Sequence, residues 1–271
     1  GGGKAVIMKP KGYFDPELLF SEFGRFVESL QGRYITAIDA GTSANEMDII
    51  HKYTAHVTST SETENPSIYT AKGVFEGIKA AVKHKLNRED LQGVRIAIQG
   101  VGNVGYALGK LLDKAGAYVI ISDICQANLD TAMRDFASEV VEPDKIYHTP
   151  CAVFSPCGLS NVINEKTIDT LGCMIIAGSA NVQLANHHLG KRLHDKGILY
   201  APDYVINAGG LIYASSEHQG LTNGMVIDKV SNIYHTLSDI FIQSKSLDHA
   251  TSVIADEIAR SKLYPHVSHA A

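Results

Sequence analysis

A lysine delivered by a run of glycines and an aspartate at the end of a β-prone run are the residues of this chain best suited to proton chemistry. In Gly1-Gly2-Gly3-Lys4 the glycines let the backbone crowd a ligand and carry an amine into a confined place. An amine that is desolvated, or near another cation, has a lowered pKa and then acts as a base or activates water. Its plainer alternative is a solvated side chain on a terminal tail. Asp39 follows Arg33-Tyr34-Ile35-Thr36-Ala37-Ile38 and precedes Ala40-Gly41-Thr42. Its carboxylate can exchange a proton with a substrate amine, or do no more than cap a turn.

A second set of residues points to a dinucleotide. The apolar run Val94 to Ile98 enters Gly100-Val101-Gly102-Asn103-Val104-Gly105-Tyr106, and Leu108, Leu111, Leu112 and Ala115 follow at helical spacing. Gly100 permits the tight turn, Gly102 lets the backbone approach a pyrophosphate, and Gly105 allows close packing of helix on strand. A second β-prone run, Ala117 to Ser122, stops at Asp123, eighteen residues past Gly105. A carboxylate there accepts from ribose hydroxyls and repels a 2′-phosphate, so NAD is favoured over NADP.

The elements that must hold these groups can be read in order. Ala5-Val6-Ile7-Met8 reads as a short strand. Asp15-Pro16-Glu17 supplies an N-cap, a first-turn proline and a first-turn acid, and Leu19, Phe23, Phe26, Val27 and Leu30 then share one helical face. Arg33–Ile38 reads as another strand, and Ser43 with Glu46 forms a capping box. The polar stretch Thr58 to Pro66 is a candidate hinge, and a long helix is predicted from Ser67 to Leu86. After Asp123 come a helix over Ala127–Ala137 and strands near Val140-Val141, Cys151–Phe154, Cys173–Ala177 and Ile198–Ala201. Alternating strands and helices predict an α/β fold, a doubly wound, Rossmann-like NAD-binding domain with a mostly parallel sheet, beside a partial α/β substrate domain. Ligands of such sheets sit beyond the strand carboxyl ends, near Asn181 and Asn207. We divide the chain into residues 1–61 (partial substrate domain), 62–244 (NAD-binding domain) and 245–271 (a C-terminal helix returning to the first domain).

Composition narrows the class. The 271 residues are 45% hydrophobic and 20% charged, ordinary for a globular protein. A net charge of −5 without a basic block argues against nucleic acid or an anionic membrane as partner. No apolar run reaches the roughly 20 residues of a membrane span, and no leader is recognisable, so a cytoplasmic protein is expected. The four cysteines, Cys125, Cys151, Cys157 and Cys173, match no ligand spacing and read as buried or neutral thiols. The twelve histidines form no metal motif, so no metal is expected. The adjacent His187 and His188 suit a surface. The opening on Gly1 rather than methionine predicts a fragment.

Taken together, Gly1–Lys4, Gly32–Thr42, Met47–His51, Asn65-Pro66-Ser67, Thr70–Val74, Gly100–Val104 and Ala201–Gly210 resemble the motifs of the Glu/Leu/Phe/Val amino acid dehydrogenases, in the same order, most of all the leucine-type branch. The resemblance runs from Gly1 to about Arg260. It implies that Lys4 activates water at the substrate α-carbon and that Asp39 exchanges a proton with the amino nitrogen. It implies cofactor contacts from Thr70, the loop Gly100 to Tyr106, Asp123, Asn181 and Asn207. The implied reaction is reversible, NAD-dependent oxidative deamination of a branched-chain L-amino acid (leucine, valine or isoleucine) to the 2-oxo acid and ammonium, by a homo-oligomer. By the same resemblance, the positions matching those that face the substrate side chain hold Ala37, Leu211 and Ala214, where a carboxylate would find no charged partner. Leucine, valine and isoleucine differ by about one methylene, worth only ~1–3 kcal/mol, so their ranking is not readable. The family carries, before this glycine run, a segment with a second lysine that holds the substrate carboxylate. A catalytically silent NAD-binding or assembly fragment, and a phenylalanine dehydrogenase, are the alternatives.

Overall fold

The computed structural model describes residues 3–39 and 41–264. Gly1 and Gly2 of the glycine run, Ala40, and the end of the C-terminal segment lie outside them. In chain order the elements are α1 (Pro16–Ser29), α2 (Ala44–His51), α3 (Pro66–Leu86), β1 (Arg95–Gln99), α4 (Asn103–Lys114), β2 (Tyr118–Ser122), α5 (Gln126–Asp135), β3 (Glu139–Val140), β4 (Val153–Pro156), β5 (Ile175–Ile176), α6 (His188–Asp195), β6 (Leu199–Tyr200), α7 (Asp203–Ile206), α8 (Gly209–His218), α9 (Asn223–Ser231), α10 (Ile233–Leu247) and α11 (Thr251–Leu263). The chain divides into two compact units: residues 1–66 with 211–226, and residues 67–210 with 227–271.

In the first unit, α1 starts where its signals stand. Asp15 accepts from the Glu17 and Leu18 N–H groups, and Pro16 is its first residue. The capping box of α2 is formed, with Glu46 reaching back to the Ser43 N–H at 2.7 Å. Phe20, Met47, Ile50 and Val57 make the core of this unit. The strand expected over Ala5–Met8 does not form, and Val6 and Met8 are each 89% exposed. A β-prone run gains nothing from extension unless a neighbour takes up its N–H and C=O groups, and among the described residues none does. For the same reason Arg33–Ile38 is reduced to one parallel bridge, Thr36 with Val57.

The second unit holds a six-stranded sheet, every pairing parallel, in the order β3-β2-β1-β4-β5-β6. This is the doubly wound order, with its reversal between β1 and β4. Strands covered on both faces carry runs of β-branched residues, and Ile96, Ala97, Ile98, Val119, Ile120 and Ile121 are all buried. Gly73 and Gly77, one turn apart on α3, allow close packing: a Cβ on Gly77 would lie 2.5 Å from Ile206 and 2.8 Å from Leu237. The helix expected to return to the first unit instead packs as α11 against α6, α10 and β6. Apolar Ile254 and Ala255 are buried there, and the segment that rejoins the first unit is residues 211–226.

Cys151 and Cys173 are neutral as expected, burial pushing their thiols up to about 11 and about 12. Cys125, by contrast, is exposed beside Asp123. His187 and His188 are exposed, as their adjacency on a helix start predicts.

Candidate active site

In the first unit, the Lys4 ammonium forms an ion pair with the Asp39 carboxylate across 35 residues of sequence. The turn after the β-prone run is closed by Thr42. Thr42 N–H donates to the Asp39 carbonyl at 3.0 Å, and the Thr42 hydroxyl accepts from the Asp39 N–H at 3.0 Å. Asp39 thus turns the chain with its backbone and presents its side chain to Lys4. Gly3 lies close against Tyr34, and a Cβ there would fall 2.9 Å from its ring. The side chains of Lys4 and Asp39 are 71% and 54% exposed, so the pair is wet, not in the dry place that the glycine run suggested.

Ala37 and Ala214 are half-buried in the same unit, whereas Leu211 is 71% exposed. Ala37 is held by its neighbour: Thr36 N–H donates to the His56 carbonyl at 3.0 Å, and Thr58 N–H to the Thr36 carbonyl at 2.9 Å.

In the second unit the glycine loop has the shape its residues require. Gly100 sits at φ +90°, a conformation costly for other residues, and a Cβ on it would lie 2.9 Å from Gly158 beyond β4. Gly105 has no room at all, its Cβ falling 1.9 Å from the Gly100 carbonyl oxygen. At Gly102 a Cβ meets nothing within 4 Å, and α4 begins there with no side-chain cap. An uncapped first turn over open space fits an anionic pyrophosphate, which would find backbone N–H donors and the positive end of a twelve-residue helix. Asp123 accepts from the Val101 N–H at 2.8 Å and the Cys125 N–H at 2.8 Å. It therefore ties the loop to β2, a role its spacing alone did not reveal. Tyr106 turns away to hydrogen-bond Asp135.

Asn207 Nδ2 donates to Asn181 Oδ1 at 2.6 Å and to the Ser179 carbonyl at 3.2 Å, joining the two asparagines beyond β5 and β6. Thr70 lies in the first turns of α3, where Gly209 is so close that a Cβ would fall 3.1 Å from the Thr70 Cα. Lys4, Asp39, Ala37, Leu211 and Ala214 thus belong to one unit, and Thr70, the loop, Asp123, Asn181 and Asn207 to the other. Among the described residues no group of three or more His, Cys, Asp or Glu side chains could hold a metal ion, and no helix is long and apolar enough to cross a membrane.

The sequence model of the Glutamate/Leucine/Phenylalanine/Valine dehydrogenase family matches residues 64–127 and 123–244. A leucine dehydrogenase of Thermoactinomyces intermedius is 44% identical over 267 residues, 97% of this chain and 73% of the relative. The chain belongs to this dehydrogenase family. Within it, a phenylalanine dehydrogenase of the same organism is 39% identical over 272 residues, covering 97% of this chain and 74% of the relative. The crystal structure of an L-tryptophan dehydrogenase from Nostoc punctiforme superposes with a TM-score of 0.81 at 38% identity, over 92% of this chain and 73% of that one. The dehydrogenase family therefore spans relatives named for aliphatic and for aromatic amino acids at similar distances from this chain.

Proposed function

We propose that this dehydrogenase carries out the NAD-dependent, reversible oxidative deamination of a branched-chain L-amino acid. The observation that carries the reading is the Lys4–Asp39 pair, an amine and a carboxylate brought together from distant parts of the sequence. The glycine loop and Asp123 would hold NAD, which when bound supplies the hydride acceptor. The residues of the chain then manage protons and water. Asp39 takes the proton from the substrate ammonium, leaving the amino nitrogen able to form an iminium as Cα loses hydride. After its ammonium has released a proton to solvent, Lys4 Nζ takes a proton from the water that attacks this carbon, and the return of that proton to nitrogen releases ammonium and the 2-oxo acid. Ala37, Leu211 and Ala214 offer an aliphatic side chain apolar contact and offer a carboxylate no partner, which disfavours glutamate. A cytoplasmic homo-oligomer completes the reading.

The test is a panel of leucine, valine, isoleucine, phenylalanine, tryptophan and glutamate with NAD and with NADP, repeated on Lys4→Ala. We expect the highest kcat/KM on a branched aliphatic substrate with NAD, and a loss in Lys4→Ala of at least about 10²-fold in kcat. An aromatic preference would replace the substrate assignment, and full rate in Lys4→Ala would remove the mechanism.

A further inference from the structure

Helix α8 bears two of the three residues proposed to face the substrate side chain, Leu211 and Ala214, and on the same helix Tyr213 and Glu217 stand one turn apart. Both reach back to the segment that leads out of the first unit. The Glu217 carboxylate accepts from the Ser59 N–H, at 3.3 and 3.4 Å to its two oxygens, and the Tyr213 hydroxyl accepts from the Glu64 N–H at 3.0 Å. Tyr213 is 5% exposed and Ser59 1%.

Ser59 is held at φ +64°, a conformation costly for a non-glycine residue that persists only where its surroundings impose it. Its hydroxyl and that of Thr58 are buried without a protein partner, so no side-chain hydrogen bond from either holds the conformation. The Glu217 carboxylate holds the Ser59 N–H in this conformation. Immediately upstream, Thr58 and His56 bond Thr36 on either side, next to Ala37. A run of hydrogen bonds therefore leads from Thr36, the neighbour of Ala37, through residues 56–59 to Glu217 on α8, the helix that bears Ala214 and Leu211.

We infer that Glu217, assisted by Tyr213, is a positioning residue that sets the spacing between Ala37 and the α8 side chains and so helps select the substrate side chain. The clamp itself rests on geometry within the first unit; its effect on selectivity rests on the dehydrogenase reading given above. The carboxylate acts as a hydrogen-bond acceptor, so glutamine in its place keeps the function and alanine does not.

Hydrogen–deuterium exchange and steady-state kinetics on wild type, Glu217→Ala, Glu217→Gln and Tyr213→Phe decide it. Exchange of the Ser59 amide is expected to quicken at least about tenfold in Glu217→Ala and that of the Glu64 amide in Tyr213→Phe, with Glu217→Gln close to wild type. In the same Glu217→Ala protein, KM for the preferred amino acid should rise about tenfold and the ranking of aliphatic against aromatic substrates should change, with KM for NAD within about twofold of wild type. Unchanged exchange at Ser59 overturns the clamp whatever the activity. Altered exchange with an unchanged substrate ranking overturns its role in selection. A wild type inactive on every amino acid in the panel overturns the dehydrogenase reading and the selection with it, while the exchange data still judge the clamp. Tyr213→Phe keeps the buried ring, so the experiment stands if Glu217→Ala folds poorly.

Discussion

A methyl group at Gly102 would touch nothing in the protein, whereas one at Gly100 would strike Gly158. The fold therefore constrains Gly100, whereas nothing in the described protein constrains Gly102. Gly102→Ala should leave the melting temperature within a degree or two while weakening NAD binding at least about tenfold, measured by fluorescence titration. Equal loss of stability and affinity would mean that the loop is shaped by packing alone. At this scale the candidate residues, though not their roles, were legible. The glycine spacing, Asp123 and the Lys4 and Asp39 types each followed from what a phosphate, a ribose or an amine demands. Glu217 and Tyr213 were not, because an acceptor for a backbone N–H in a distant turn leaves no mark in local pattern. Ser59 gave no sign either, since a serine in a polar stretch does not announce a positive φ.

Elements were predicted best where caps and periodicity agree, as at Asp15-Pro16 for α1 and Ser43 with Glu46 for α2. The sheet strands fell close to their apolar runs for the same reason, β-branched residues buried on both faces. Ala5–Met8 failed because strand formation depends on a partner that composition does not disclose. The glycines of α3 show the converse, a pattern neutral in sequence that decides packing. Gly77→Ala would press a methyl group on Ile206 and Leu237, in a region already filled by Ile233. It should cost about 1–3 kcal/mol despite the better helix propensity of alanine, visible as a lowered denaturant midpoint with unchanged slope. A stabilised variant would show that α3 has slack against α7 and α10.

At the scale of the molecule, the candidate proton-transfer residues and the candidate cofactor residues fall in different compact units. Chemistry and cofactor affinity should then separate under mutation. Lys4→Ala should bind NAD within about twofold of wild type, by calorimetry, while losing turnover. A matching loss of affinity would mean that Lys4 acts on the second unit. The chain passes between the two units near Pro66, Leu211 and Val226, and nothing in the composition around Leu211 or Val226 marks a crossing.

Because residues 211–226 belong with residues 1–66, the first unit is completed by a piece of chain encoded after the whole six-stranded sheet. On a ribosome, β6 has emerged before the α8 residues Tyr213 and Glu217 exist to grip Ser59 and Glu64. The amino-terminal unit therefore stays unfinished until residues 211–226 have been made, and the second unit closes later still, with residues 227–271, so the two mature interleaved along a nascent polypeptide.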